Sequence, residues 1–459
     1  MKREKKQQIR YEQPILGPCM PWEIDDISRR QILRSGISLT GFMSLGKWLL
    51  PRQALAQSSN SFSVKRKLVW INMRGGWDIL EVMDAKVAST AGIDMIYDYN
   101  LTNQLQGGED DARLGRWLPN MAQIGTDLLI VRGLAMGTTS HMAGSIYMDT
   151  GILSNAGRVN SASIPAIVAS EGTSTIPIIQ LNGGSDPMTD RGLLNPVSVV
   201  RAENLELYRS MYPQDSQATE RRILMLDYLK QSISRVKEGI ADSATNDRLD
   251  SLAAAEDKIR NQFTNNVGQT LELTDSDVSQ FNDGAPNGTR RMNETFALAL
   301  KLITGDICDC INLGIGGFDT HSNQSNRLSP ILGNVDFVIK RFVDGLRAAG
   351  QLDSTLIVMY SDFGRTPKMN NSNGRDHWPV GGALMIGGGI AGGRVVGGTD
   401  SNMRAEAINT TTGKIDQNGE QINPTHLGGS ILELTLGSEY LSYRNYLNSI
   451  PALTQLKTA

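Results

Sequence analysis

Compact apolar runs that stop abruptly at polar or glycine-rich loops are the feature that most constrains this chain. Lys67-Leu68-Val69-Trp70-Ile71-Asn72-Met73 ends in Arg74-Gly75-Gly76-Trp77-Asp78, and Leu128-Leu129-Ile130-Val131 ends at Arg132-Gly133. The run through Cys308 closes with Gly316-Gly317-Phe318-Asp319, and Thr355 to Tyr360 closes with Ser361-Asp362. Runs this short and this apolar read as strands buried on both faces. Ile176 to Leu181 and Ala383 to Ile386 extend the set. Between them lie helical spacings at about Met142–Thr150, Asn293–Ile303 and Pro330–Ala349. Strand, loop, helix, strand is the pattern of an α/β domain with a mainly parallel sheet flanked by helices. In such sheets ligands bind beyond the carboxyl ends of the strands. Asp78, Asp319 and Asp362 all fall there.

Composition narrows the class. The 459 residues carry 45 Lys+Arg against 48 Asp+Glu, a net charge of −3, with 40% hydrophobic residues. That balance fits an ordinary globular protein and excludes a coiled coil, a disordered chain and a multi-span membrane protein. It also argues against nucleic acid as a partner, which calls for a basic excess. From about Glu203 the composition turns charged and helical, so a helical insertion is expected at about 203–290.

The first 56 residues read as an N-terminal extension followed by an export signal. Ser28-Arg29-Arg30-Gln31-Ile32-Leu33 precedes a mildly apolar stretch and Ala54-Leu55-Ala56, the parts of a twin-arginine leader with its cleavage site. The expected mature domain is then residues 57–459, exported by the twin-arginine machinery to the periplasm or beyond, with no membrane anchor after cleavage. Cleavage also removes Cys19, leaving Cys308 and Cys310. Spaced i, i+2 on one strand, these point the same way, and a disulfide between them would be strained. They read as small buried hydrophobes.

The chain has only four histidines. Three stand in polar segments, Ser140-His141, Asp319-Thr320-His321 and Asp376-His377, whereas His426 has no acidic neighbour and reads as structural. Asp319 and His321 are two apart at a strand end and project to one side, an arrangement that suits a divalent metal. With Asp78, Asp362 and His377 they make a candidate nest of three carboxylates and two imidazoles, enough for one or two ions of zinc, manganese, calcium or magnesium. Any one of these aspartates alone also suits a cap or turn. Ser140 lies just before a predicted helix, where it serves equally as N-cap or as a nucleophile activated by a nearby metal. Arg365, in Ser361-Asp362-Phe363-Gly364-Arg365-Thr366-Pro367, can hold a phosphate-like anion bidentately or pin a loop to a carboxylate. Arg74 is a second candidate for neutralising an anion.

These motifs together resemble a known group. Arg-Gly-Gly-Trp-Asp (74–78), Thr-Ser-His (139–141), Gly-Gly-Phe-Asp-Thr-His (316–321), Ser-Asp-Phe-Gly-Arg-Thr-Pro (361–367), Arg-Asp-His (375–377) and Gly-Gly-Gly-Ile-Ala-Gly-Gly-Arg (387–394) look like the bacterial protein family of unknown function numbered 1501. The likeness runs from about Lys67 to Tyr446, and the family often begins with a twin-arginine leader. The resemblance implies an alkaline-phosphatase-like fold. It would make Asp78 a first-strand metal ligand, Ser140 or Thr139 the nucleophile with His141 beside it, and Asp319, His321 and His377 one metal site. Asp362 would join Asp78 in a second. Three departures stand out: Phe363 occupies the place of an imidazole in alkaline phosphatases, the Asp319–His321 spacing is shorter than in those enzymes, and no sulfatase-type C/S-x-P-x-R motif is present. The expected function is an exported, metal-dependent hydrolase of phosphate or related esters, its substrate a small-molecule or glycan ester. The alternative is a non-catalytic scaffold or binding protein of the cell envelope.

Overall fold

In a computed structural model of the chain, the structure describes residues 64–87, 92–154, 161–183 apart from 173 and 175, 199–201, 216–239, 249, 253, 272–444 and 448–454. The expected leader and its cleavage site at Ala56 lie outside the described residues.

The centre is an eight-stranded sheet. Its strands are β1 (Lys67–Met73), β2 (Leu128–Ala135), β3 (Ile176–Leu181), β4 (Val199–Arg201), β5 (Cys308–Ile315), β6 (Thr355–Tyr360), β7 (Val380–Gly387) and β8 (Arg394–Gly397). Their order is β8-β2-β7-β6-β1-β5-β3-β4. β1 pairs in parallel with both β5 and β6, in the register Trp70 with Asn312 and with Val358. Seven strands share one direction, and β7 alone is antiparallel to its neighbours β6 and β2. The reason is the connection. No helix separates β6 from β7, so the chain doubles back instead of crossing over. That return keeps residues 361–379 at the carboxyl edge of the sheet, where they build the site.

Helices cover the sheet. α1 is Ile79–Val82, α2 His141–Thr150, α3 Ile164–Ser170, α4 Ser216–Glu238, α5 Asp275–Asn282, α6 Arg290–Thr304, α7 Gln324–Ala348 and α8 Pro424–Leu436. α2, α3 and α8 bury their apolar sides with Leu68, Trp70, Val358 and Tyr360 in one core. Trp70 Nε1 and the Tyr360 hydroxyl both donate to Asp149 Oδ1 of α2, at 2.8 and 2.6 Å, which locks that helix on the sheet. The alternate residues Val69 and Ile71 are also fully buried, facing the layer where α6 and α7 pack, with Phe296 against Phe342.

α2 runs one residue longer than its spacing predicts and stops at Gly151, whose φ of 70° is the left-handed cap. α7 starts at Gln324, six residues before the expected Pro330, which stands inside the helix. The buried pair Gln324 and Leu328, one turn apart, anchors that polar first stretch. Of the expected insertion at about 203–290, α4, α5 and the start of α6 are described, while Ser251 to Phe263 lies outside the described residues except Ala253. Cys308 and Cys310 are free and fully buried, with Cys310 Sγ 3.4 Å from the Pro165 carbonyl. Burial pushes both thiols up, so they behave as small apolar side chains. Among the described residues no helix is long and apolar enough to cross a membrane.

Candidate metal centre

Three neighbouring strand ends and one helix start converge at the carboxyl edge. β5 delivers Asp319 and His321, β6 delivers Asp362, and the return toward β7 delivers Arg365, Asp376 and His377. The loops after β1 and β5 touch: Gly75 has φ of 114°, and a Cβ there would lie 2.5 Å from the Asp319 amide nitrogen, so only glycine fits. α2 approaches as closely. A Cβ on Gly144 would lie 2.1 Å from the Asp362 carbonyl oxygen. That contact sets His141, the first residue of α2, over the end of β6.

Three imidazoles then border one carboxylate. His321 Nε2 lies 3.1 Å, His377 Nε2 3.5 Å and His141 Nε2 3.8 Å from Asp319 Oδ1. His321 Nε2 and His377 Nε2 are 3.0 Å apart. Among the described residues His141, Asp319 and His377 form a group with all ligand atoms within 4.8 Å, and His321 borders Asp319 and His377 beside it. Ligand atoms around a tetrahedral zinc, at about 2.0–2.1 Å from the ion, sit roughly 3.3 Å from one another.

The second ring nitrogens each have an oxygen of their own. His377 Nδ1 lies 2.8 Å from the Thr139 carbonyl, which can only accept, so Nδ1 carries the proton. His321 Nδ1 lies 2.9 Å from Asp376 Oδ1, and His141 Nδ1 makes a short contact with Asp362 Oδ2. His377 thus turns its Nε2 lone pair inward, and with their protons on Nδ1 His321 and His141 do the same, toward Asp319. Lone pairs facing one another are repulsive until a cation or protons come between them. Carboxylate and carbonyl groups behind imidazoles are also how metal-binding histidines are oriented. The donor set and its spacing fit a divalent ion.

Phe363 completes the floor. It is fully buried, with its ring 4.4 Å from that of His377 and 4.7 Å from that of His141. Asp319 remains half exposed at 51% of its side chain, so the centre opens to solvent. Burial raises the Asp319 carboxyl, but the bond and charge of Arg365, with His321 and His141, hold it below the ordinary carboxylate range. The bond from His321 does the same for Asp376, helped by Asn370.

The structure divides the expected site residues. Asp319, His321 and His377 are brought together. Asp362 is nearby, but Oδ1 accepts from the Gly76 and Gly75 amides at 2.6 and 3.3 Å and Oδ2 faces His141, so it orients a ring. Asp78 is drawn elsewhere. It caps α1 through the Leu80 and Glu81 amides, accepts from Gln324, and pairs with Arg375 at 2.8 Å, all fully buried. Arg365 takes the loop-pinning role. It donates to the Gly76, Gly75 and Arg375 carbonyls and to Asp319 at 2.5 Å, and is fully buried. Ser140 is the exposed N-cap of α2, and its hydroxyl makes no capping bond. Thr139, also exposed, lends its carbonyl to His377. Two contributions were not derivable from sequence position: His141 as an inward-facing imidazole, and Asp376 as support for His321. The Arg-Asp-His triplet was a signal for the second.

A family model described as "Protein of unknown function (DUF1501)" matches residues 65–414. The chain belongs to that family. The match holds every residue of the centre and stops short of the expected Tyr446. No curated protein matches the chain. Among solved structures it is similar to the PsFucS1 sulfatase from Pseudoalteromonas sp., at 10% identity and TM-score 0.38 over 92% of this chain and 76% of that one. It is also similar to the lipoteichoic acid synthase LtaP from Listeria monocytogenes, at 8% identity and TM-score 0.34 over 83% and 80%. A third is alkaline phosphatase from the Antarctic bacterium TAB5, at 14% identity and TM-score 0.32 over 71% and 92%.

Proposed function

We propose that this member of the family is an exported, metal-dependent hydrolase of phosphate or related esters, released after Ala56 into the periplasm or beyond. The observation that carries the reading is the convergence of three imidazole Nε2 atoms on Asp319 Oδ1, each ring held from behind. His141, His321, His377 and Asp319 would hold one ion. Asp78 and Asp362, the expected ligands of a second, are committed to Arg375, Gln324, backbone amides and His141. A donor set of three imidazoles and one carboxylate favours zinc or manganese over calcium and magnesium, which prefer all-oxygen shells. A divalent ion bound there supplies Lewis-acid chemistry, polarising an ester oxygen and acidifying a nearby hydroxyl or water.

The chain's own residues do the rest. Arg365 holds the Gly75–Gly76 loop and Asp319 in place. Ser140, with its hydroxyl uncommitted to the cap, is the preferred nucleophile, and Thr139 the alternative. Free N–H groups at the start of α2 favour an anionic ester beside Ser140. The second reading, an ion-binding scaffold without turnover, is favoured by the full engagement of Arg365, which leaves no guanidinium of that residue for substrate.

The test is turnover of an aryl phosphate, a bis-aryl phosphodiester and an aryl sulfate by mature protein loaded with zinc or manganese. Loss of turnover in Ser140→Ala or Thr139→Ala, with metal content retained, supports the hydrolase and names the nucleophile. No turnover of any ester by fully loaded protein sinks it in favour of the scaffold.

A further inference from the structure

Thr320 lies between Asp319 and His321, and Arg375 stands just before Asp376 and His377. Both side chains are fully buried, as are those of Asp78 and Gln324, whereas the imidazoles beside them are partly exposed. The four buried residues close a ring. Thr320 Oγ1 donates to Gln324 Oε1 at 3.0 Å, and Gln324 Nε2 donates to Asp78 Oδ2. Asp78 Oδ2 pairs with Arg375 Nε at 2.8 Å, and the Arg375 amide donates to the Thr320 carbonyl at 3.1 Å.

Around this ring the two loops that carry the imidazoles run in contact. The Gln324 amide donates to the Asn373 carbonyl at 2.9 Å, and a Cβ on Gly374 would lie 2.1 Å from the His321 carbonyl carbon. Arg375 extends the tie to two more segments, donating from Nη1 to the Thr366 carbonyl at 2.9 Å and from Nη2 to Glu81 Oε1 at 2.7 Å. Buried hydrogen bonds act in a low dielectric, and a ring of them resists displacement of any one member. His321 and His377 are 56 residues apart in sequence, so the 3.0 Å between their Nε2 atoms is set by whatever fixes one loop on the other. Asp78, placed by its strand end among the expected ligands, reaches the centre only through the backbones it ties together.

We infer that Asp78, Gln324, Thr320 and Arg375 are positioning residues for the metal centre. Their ring holds Asp319 and His321 against Asp376 and His377, so that the donor set is assembled before an ion arrives. This rests on the metal centre of the hydrolase reading and does not require turnover.

The test is zinc affinity of the full chain by competition with a chelator, with the absorption spectrum of the cobalt(II) form reporting ligand geometry. Thr320→Val keeps the shape and removes the hydroxyl, and should weaken zinc binding about tenfold or more, the usual cost of losing support behind a ligand. Thr320→Ser should restore most of that loss. Gln324→Met removes both of its side-chain bonds and should weaken zinc at least as much, with an altered cobalt spectrum. Circular dichroism of the metal-free proteins reports the fold, and Gln324→Met carries the test if Thr320→Val does not fold. Folded variants that match the wild type in zinc affinity and cobalt spectrum overturn the inference, make the ring a structural brace and leave the hydrolase reading untouched. A folded wild-type protein that binds no zinc overturns ring and centre together. Weakened zinc binding in the variants, with no ester turnover in the wild type, supports the ring and sinks only the hydrolase.

Discussion

The Nε2 atoms of His321 and His377 lie 3.0 Å apart, while Asp376 and the Thr139 carbonyl lie against their Nδ1 atoms. Two ring nitrogens at that distance call for a proton or a metal cation between them. The protein, purified without added metal, is expected to carry one zinc or manganese per chain. His377→Ala and Asp319→Ala should lose it. Elemental analysis per chain decides, and a folded wild-type protein that takes up neither ion would refute the centre.

Asp376 touches no ion in this arrangement, yet it holds His321 by Nδ1 at 2.9 Å. Removing such support typically costs 10–100-fold in metal affinity. Asp376→Asn keeps an acceptor of similar shape but removes the charge, so zinc affinity should fall by about tenfold and Asp376→Ala by more. Competition with a chelator of known affinity measures both. Equal affinities in all three proteins would mean that His321 is oriented by other contacts.

Arg365 is fully buried and serves the carbonyls of Gly75, Gly76 and Arg375. Each buried acceptor left without a donor costs about 1–3 kcal/mol, so Arg365→Ala should destabilise the protein by roughly 3 kcal/mol or more. Denaturant unfolding with metal removed checks this. A substitution that spares stability but abolishes turnover would instead give Arg365 a direct role on substrate.

One guanidinium, Arg375, serves two buried carboxylates, Asp78 at 2.8 Å and Glu81 at 2.7 Å. Burial first, then the charge of Asp78, raises the Glu81 carboxyl from 4.5 to about 8. The folded protein keeps a proton there that the unfolded chain releases, so the unfolded state binds fewer protons between those values. Stability is therefore fullest below 4.5 and declines as pH rises to about 8 on this group's account. The melting temperature of the metal-free protein should fall across that window, and Glu81→Gln should flatten the slope. An unchanged slope in Glu81→Gln would assign the dependence to other groups.

Much of the architecture was legible in the residues. Runs such as Lys67–Met73 and Thr355–Tyr360 are too apolar to sit anywhere but inside a sheet, and helical spacing between them forces crossovers. The direction of β7 was not legible, because it depends on residues 361–379 forming no crossover helix.

The candidate centre divides in the same way. Asp319 and His321 share one strand end, so their convergence follows from local backbone geometry alone, and the Asp376-His377 pair announces a polar loop. Strand-end position could not say which aspartates point inward. Asp78, Asp319 and Asp362 look alike in sequence, yet Asp78 is turned to Arg375 and the start of α1, Asp362 to His141 Nδ1 and two glycine amides, and of the three only Asp319 faces the Nε2 atoms of all three imidazoles. His141 enters because Gly144 lets α2 rest on the carbonyl of Asp362. Short-range spacing thus determined the strands, their polar ends and the residue types available for chemistry. Packing between segments from 46 to more than 200 residues apart decided which of those groups meet, since a side chain's partner depends on which backbone can approach it.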